Sequence, residues 1–229
     1  MGQLPKYKME EAKRAQKEAK LDKKRGIETK LPNFSILIVC EGERTEPNYF
    51  KAKIDDRHSK VIQVDVEGEG RGTLSLIKKT IKLRDRSNKV YDKVWAVFDK
   101  DDFRDFNESI KLAKENKVEC AWSNESFELW YCLHFLYLDA GVNRSQYIEI
   151  LEREVRKKTG EKKYKYRKNY EQMYSLLQHL GDEDIAIEHA KRLEKNYKNK
   201  NYKTHNPCTM VYKLVEELNN PEKLLYTED

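Results

Sequence analysis

The sequence predicts an α/β fold built on a parallel sheet with helices on both faces, continued by a helical C-terminal elaboration. Three observations carry this. Short apolar runs alternate with helix-period segments from residue 34 to residue 122, the signature of βαβ units. Two of those runs end in acidic clusters, Cys40-Glu41-Gly42-Glu43 and Asp99-Lys100-Asp101-Asp102. Beyond Trp122 the alternation stops and the pattern turns helical.

The elements follow in order. Ile36–Val39 is a continuous apolar run, as a strand buried on both faces requires. Glu43 to Ile54 reads as a helix, with Pro47 placed in its first turn. Val61–Val66 alternates and is β-branched, so it reads as the second strand. Gly68, Gly70 and Gly72 make a turn, and Thr73 is positioned to cap a helix through Leu74, Ile77, Ile81 and Leu83. The segment from Glu67 to Gly72 lacks the Gly-Lys-Ser/Thr ending of a phosphate loop, so the chain is not expected to hydrolyse ATP. Val94–Phe98 is the third strand, Asn107–Lys117 a helix and Glu119–Trp122 the fourth strand. Ser123 or Asn124 then caps a helix carrying Phe127, Leu129, Trp130, Leu133 and Phe135. From Gln146 onward helix is expected throughout, with the last one starting at Asn206-Pro207 and burying Val211, Leu214, Val215 and Leu218.

Three regions result: a basic arm over residues 1–30, an α/β core over 31–138 and a helical extension over 139–229 packed on that core. The arm has ten Lys and Arg residues and few large apolar side chains, so it reads as a tether or a solvated tail. No apolar run is long enough to span a bilayer, and the basic N-terminus lacks the apolar stretch of a signal peptide. Cys40, Cys120, Cys132 and Cys208 are far apart and form no Cys-x-x-Cys pair. A cytoplasmic protein with reduced thiols, no zinc cage and no membrane partner is expected. Its net charge of +6 suits a polyanionic partner.

Carboxylates at the carboxyl ends of buried parallel strands lie where an open α/β sheet builds its site. If the third strand extends through its acidic end, Asp99 and Asp101 point to one side. Glu41 ends another strand of the same sheet. Carboxylate oxygens suit Mg²⁺ or Mn²⁺, and two such ions activate water and stabilise a leaving oxygen. Divalent-metal phosphoryl chemistry is the leading expectation; a plain polar loop after a strand is the alternative. Glu128, sheltered among Phe127, Leu129 and Trp130, is a further metal-site or base candidate. Glu43 and Glu46 are weaker ones, Glu46 reading as first-turn charge favoured by the helix dipole. A polyanion-binding surface is expected on a basic helical stretch, Arg156 to Lys168, through Lys157, Lys158, Lys162, Lys163, Lys165, Arg167 and Lys168, joined by Lys100 at the acidic cluster. Tyr164 and Tyr166, interleaved there, are placed to stack on unpaired bases. A second basic run spans Lys191 to Lys203.

Four stretches carry a resemblance: Ile36–Phe50 (ILIVCEGERTEPNYF), Phe98-Asp99-Lys100-Asp101, Ser123–Trp130 (SNESFELW) and Asn206-Pro207-Cys208-Thr209. In that order, and covering about residues 34 to 218, they resemble the motifs of RloB-like proteins. The resemblance implies a variant of the Toprim fold. That fold pairs a glutamate after the first strand with an Asp-x-Asp after a later one around Mg²⁺, and Glu41, Asp99 and Asp101 match those positions. It further implies a nuclease acting on RNA (tRNA included) or DNA, as the effector of an antiphage defence system with an ATPase partner. A non-catalytic Toprim-like sensor or regulatory subunit, binding nucleic acid or the ATPase, is the alternative. Assembly of several copies is left open.

Overall fold

The computed structural model describes residues 34–57, 62–68, 72–100 and 105–221. The expected basic arm and Asp101 therefore lie outside the described residues.

A five-stranded sheet in the order β2-β1-β3-β4-β5 organises the chain. Its strands are β1 (Phe34–Cys40), β2 (Ile62–Gly68), β3 (Lys93–Asp99), β4 (Glu119–Asn124) and β5 (Cys208–Thr209). The first four are mutually parallel, and β5 runs antiparallel to β4. The chain moves from β1 outward to β2, then back across β1 to β3 and on to β4. Right-handed crossovers send the connecting helix α1 (Thr45–Arg57) to one face, and α2 (Thr73–Arg86) and α3 (Phe106–Glu115) to the other. Ile36 through Cys40 and Val94 through Phe98 are all buried, as central strands covered on both faces must be.

After β4 come α4 (Glu128–Leu133), α5 (Arg144–Thr159), α6 (Met173–Leu180), α7 (Glu183–Lys195) and α8 (Val211–Asn219). α1 meets this helical half through Tyr49, Phe50, Lys53 and Ile54, all buried. The Tyr49 ring packs edge-on to Phe127 and Tyr174, and its hydroxyl accepts from Trp130 Nε1 at 2.9 Å. All four cysteines are free thiols.

The structure departs from the expected elements in several places. Ser123 and Asn124 do not cap a helix but end β4, where the Ser123 hydroxyl bonds Thr209 Oγ1 across the sheet at 2.8 Å. Helix α4 starts only at Glu128 and stops at Leu133, short of Phe135. Asn206-Pro207 does not open the last helix. It leads into β5, and Met210 N donates to Trp122 O at 2.7 Å before α8 begins. The helix expected to continue through the basic stretch ends at Thr159, because Gly160 takes the left-handed conformation (φ 74°) and its N–H donates to Arg156 O.

A buried ion pair ties the two halves together. Lys53 Nζ, on α1, contacts both carboxylate oxygens of Glu183 on α7 at 2.9 Å, and Asn219 Oδ1 on α8 at 2.7 Å. Burial alone would raise the Glu183 carboxyl pKa, but the Lys53 ammonium and the Asn219 amide outweigh it and hold it below its ordinary value. Lys53→Met strands that carboxylate without its counter-charge. It should cost about 3–5 kcal/mol in denaturant unfolding, while Lys53→Met with Glu183→Leu should recover much of the loss. Because the Glu183 pKa is depressed, its contribution is present above the unfolded value of 4.5 and is lost as pH falls below it.

Candidate functional site

The register of the central strands assembles the site. Cys40 stands opposite Val97, and Glu41 N donates to Val97 O at 2.8 Å, so Glu41 leaves β1 beside the end of β3. Asp99 is the last residue of β3. Its backbone N–H donates to Glu41 Oε2 at 3.3 Å, which brings the two predicted acids together. Strand order reverses between β1 and β3, and ligand crevices of open α/β sheets form at such a point. A cleft of about 690 Å³ opens there, lined among others by Glu41, Glu46, Asp99, Glu128, Arg144 and Lys168.

Glu46 and Glu128 form its sheltered floor, only 5% and 4% exposed. Glu46 is no solvated first-turn charge. Burial raises its carboxyl pKa, the Glu128 carboxylate raises it further, and its own backbone N–H, Lys168 and Arg144 pull the other way. Gly42 makes the arrangement possible: a Cβ there would fall 2.0 Å from Glu46 Oε2. Glu128 opens α4 and accepts from the Tyr166 hydroxyl at 3.0 Å. Glu43 and Arg44 are exposed at the rim.

The basic stretch reaches this cleft as a loop. Thr45 Oγ1 donates to Asn169 Oδ1 at 3.0 Å, and Asn169 takes φ 70°. These contacts bring Lys168 into the cleft. Lys157, Lys158, Lys162, Lys163, Lys165 and Arg167 are exposed, although Lys157 pairs with Glu154 at 2.8 Å and Lys165 with Glu152 at 2.9 Å. Tyr166 turns inward, its hydroxyl on Glu128 and its ring edge-on to Tyr131 at 6.4 Å, and Tyr164 is half-buried. Lys100 is half-buried and its N–H donates to Ser123 O at 2.8 Å. The second basic run comes to the same end of the sheet, where Asn124 Nδ2 donates to Lys203 O at 3.3 Å.

A family model described as RloB-like protein matches residues 36–218. The chain belongs to the RloB-like family. No curated protein and no solved structure matches it. The matched span runs from β1 to α8 and so contains every element that shapes this RloB-like cleft.

Sequence reasoning missed Arg144, whose guanidinium Nη2 lies 3.3 Å from Asp99 Oδ2. Nothing in the spacing links it to an acid 45 positions away. Among the described residues, no group of three or more His, Cys, Asp or Glu side chains stands at metal-ligating spacing. Glu41 and Asp99 supply two hard oxygen donors of the kind Mg²⁺ takes, and Asp101 lies outside the described residues.

Glu46→Gln removes a carboxyl whose ionisation burial opposes. The raised pKa means the penalty is absent below the unfolded value of 4.5 and present at pH 7. Thermal melts should show the variant more stable than wild type at pH 7 and equal to it near pH 4. A lower melting temperature at pH 7 would mean that the ionised group is held by contacts stronger than its burial cost.

Proposed function

We propose that the chain is a Toprim-type, Mg²⁺- or Mn²⁺-dependent nuclease that hydrolyses phosphodiester bonds in RNA, tRNA included, or in DNA. The observation that carries this reading is the convergence of Glu41 and Asp99 on adjacent parallel strands at the sheet's switch point. Glu41, Asp99 and, by its place in the motif, Asp101 would hold the metal. When bound, the ion polarises a phosphoryl oxygen and lowers the pKa of a water. The chain's own residues do the rest. Lys168 and Arg144 set positive charge in the cleft, where a phosphate is held. Glu128, oriented by the Tyr166 hydroxyl, accepts a proton from water. Glu46, whose carboxyl burial holds above its ordinary pKa, stands in the same cleft as the proton donor to a leaving oxygen.

The exposed lysines between Lys157 and Lys165 and the run up to Lys203 flank that end of the sheet and suit a polyanion longer than one nucleotide. An effector role in antiphage defence, under an ATPase partner that supplies the nucleotide switch this chain's motifs lack, completes the proposal.

Cleavage of tRNA, single-stranded and duplex substrates with Mg²⁺, Mn²⁺ or EDTA, with and without the neighbouring ATPase, tests it. Glu41→Ala or Asp99→Ala should lower cleavage at least about a hundredfold, since a metal's charge stabilisation is worth several kcal/mol. The melting temperature should hold or rise, because a carboxylate is removed from an acidic cleft. Full activity in both variants, or in EDTA, would end the metal-site reading. Neutralising Lys157, Lys158, Lys162 and Lys163 together should weaken single-strand binding. It should also flatten the salt dependence by about 0.7 for each phosphate that these lysines neutralise in the wild type. An unchanged slope would move the polyanion surface elsewhere.

A further inference from the structure

Arg144 begins α5 with its backbone firmly placed. Asn143 Oδ1 accepts from Gln146 N at 3.1 Å, and Gln146 Oε1 accepts from Asn143 N at 3.0 Å, a reciprocal cap that fixes the helix start. The remaining freedom of Arg144 is that of its side-chain torsions. Its Nη2 lies 3.3 Å from Asp99 Oδ2 and 3.4 Å from the Glu125 carbonyl oxygen. The Arg144 side chain is 43% exposed and that of Asp99 is 16% exposed. The guanidinium therefore leans on a sheltered carboxylate from the solvent side. Long, partly solvated ion pairs of this kind are weak. A divalent cation, with twice the charge, competes for the same carboxylate. A guanidinium suits carboxylate and phosphate oxygens alike, because its fork of donors matches both. Lys168 lines the same cleft, and both cations bear on the Glu46 carboxyl, so their fields overlap within it.

We infer that Arg144 is an exchangeable counter-ion for Asp99. It pairs with Asp99 while no divalent cation is bound, and it passes its guanidinium to a phosphate oxygen of the substrate when the cation takes Asp99. The inference rests on the metal-dependent reading above. It adds the positioning residue that links metal binding to phosphate binding, and it makes that linkage reciprocal: each ligand strengthens the other through Arg144.

The test uses the full chain. Mg²⁺ binding is followed by calorimetry. Binding of labelled single-stranded RNA and DNA oligonucleotides is followed by fluorescence anisotropy, with and without Ca²⁺ in place of Mg²⁺ to limit turnover. R144Q should bind Mg²⁺ about fivefold more tightly, as loss of a weak competing ion pair predicts. It should bind the oligonucleotides about fivefold more weakly in Ca²⁺, and Ca²⁺ should improve that binding less than it does in wild type. R144K keeps the charge without the fork, so its Mg²⁺ affinity should stay near wild type while oligonucleotide binding weakens. Opposite shifts in the two affinities are the signature, since a merely structural role would weaken both. Weakening of both in R144Q and R144K, or equal Mg²⁺ affinity in wild type and R144Q, would overturn the inference and leave the metal site standing. Failure of both wild type and R144Q to bind Mg²⁺ would overturn the metal-site reading and this inference with it.

Discussion

Parallel pairing of β1 with β3 is the constraint on which the rest depends. It sets Cys40, the last residue of β1, against Val97, so that β3 runs on past the end of β1 and Glu41 and Asp99 are delivered to one point. The strands themselves are apolar and fully covered, which leaves their carboxyl ends as the place where the sheet's backbone meets polar side chains. The chain then turns twice at this end, into α1 through Gly42 and onward from Asp99. Sheet topology thus fixes where the cleft can be, and the side chains decide only what it holds.

Concentrated acid in a cleft opposes folding unless something answers it. Here the answers come from distant parts of the chain and differ in kind. Arg144 answers Asp99 from solvent, through an exchangeable contact. Tyr166 answers Glu128 with a hydroxyl donor. Glu46 is answered mainly by a shift toward its protonated form, since burial makes its ionised form costly. Lys53 and Glu183, by contrast, are matched, buried and multiply bonded, and they sit in the packing between the halves. The permanent charge pair belongs to the scaffold and the unbalanced charge belongs to the cleft, the division expected where strain is kept for function.

The four parallel strands, the first three helices and the place of the acids Glu41 and Asp99 at strand ends were legible in the sequence because buried parallel strands write continuous apolar runs. Ile36–Val39 and Val94–Phe98 admit few other readings. What escaped notice had no local signal. β5 is two residues long, too short for a period, and is held by a cross-sheet Ser123–Thr209 bond between residues 86 apart. Ser123 looked like a helix cap because a hydroxyl serves either role, and only the distant partner decides. Gly160 was the readable stop for α5, yet the dense lysines after it have the same composition as a solvated helix face. Arg144 and Lys53 went unremarked and Glu46 was misread for one shared reason. A charged residue is exposed by default, and its burial or pairing depends on a partner that sequence proximity does not reveal.

The loop from Glu161 to Gln172 joins these themes. It carries exposed lysines outward, is joined to the cleft by Tyr166 on Glu128 and Asn169 on Thr45, and is held to α5 by Arg156 on the Tyr164 carbonyl and by Glu152, which accepts from Lys165 and from Tyr166 N. The same short segment therefore offers charge to a polyanion and sets the hydrogen bonding of a cleft carboxylate. A polyanion drawn onto the lysines pulls on a loop whose two contacts to the cleft, Tyr166 on Glu128 and Asn169 on Thr45, are single hydrogen bonds, each worth about 1–3 kcal/mol. Under the proposed function, binding on the outer face and proton chemistry on the inner one are in this way mechanically connected. Because Lys168 sits next to the Asn169 anchor, a shift of the loop also moves a cation of the cleft relative to Asp99 and Glu46. On that reading, substrate engagement and the electrostatics of the acidic cleft both follow one loop position.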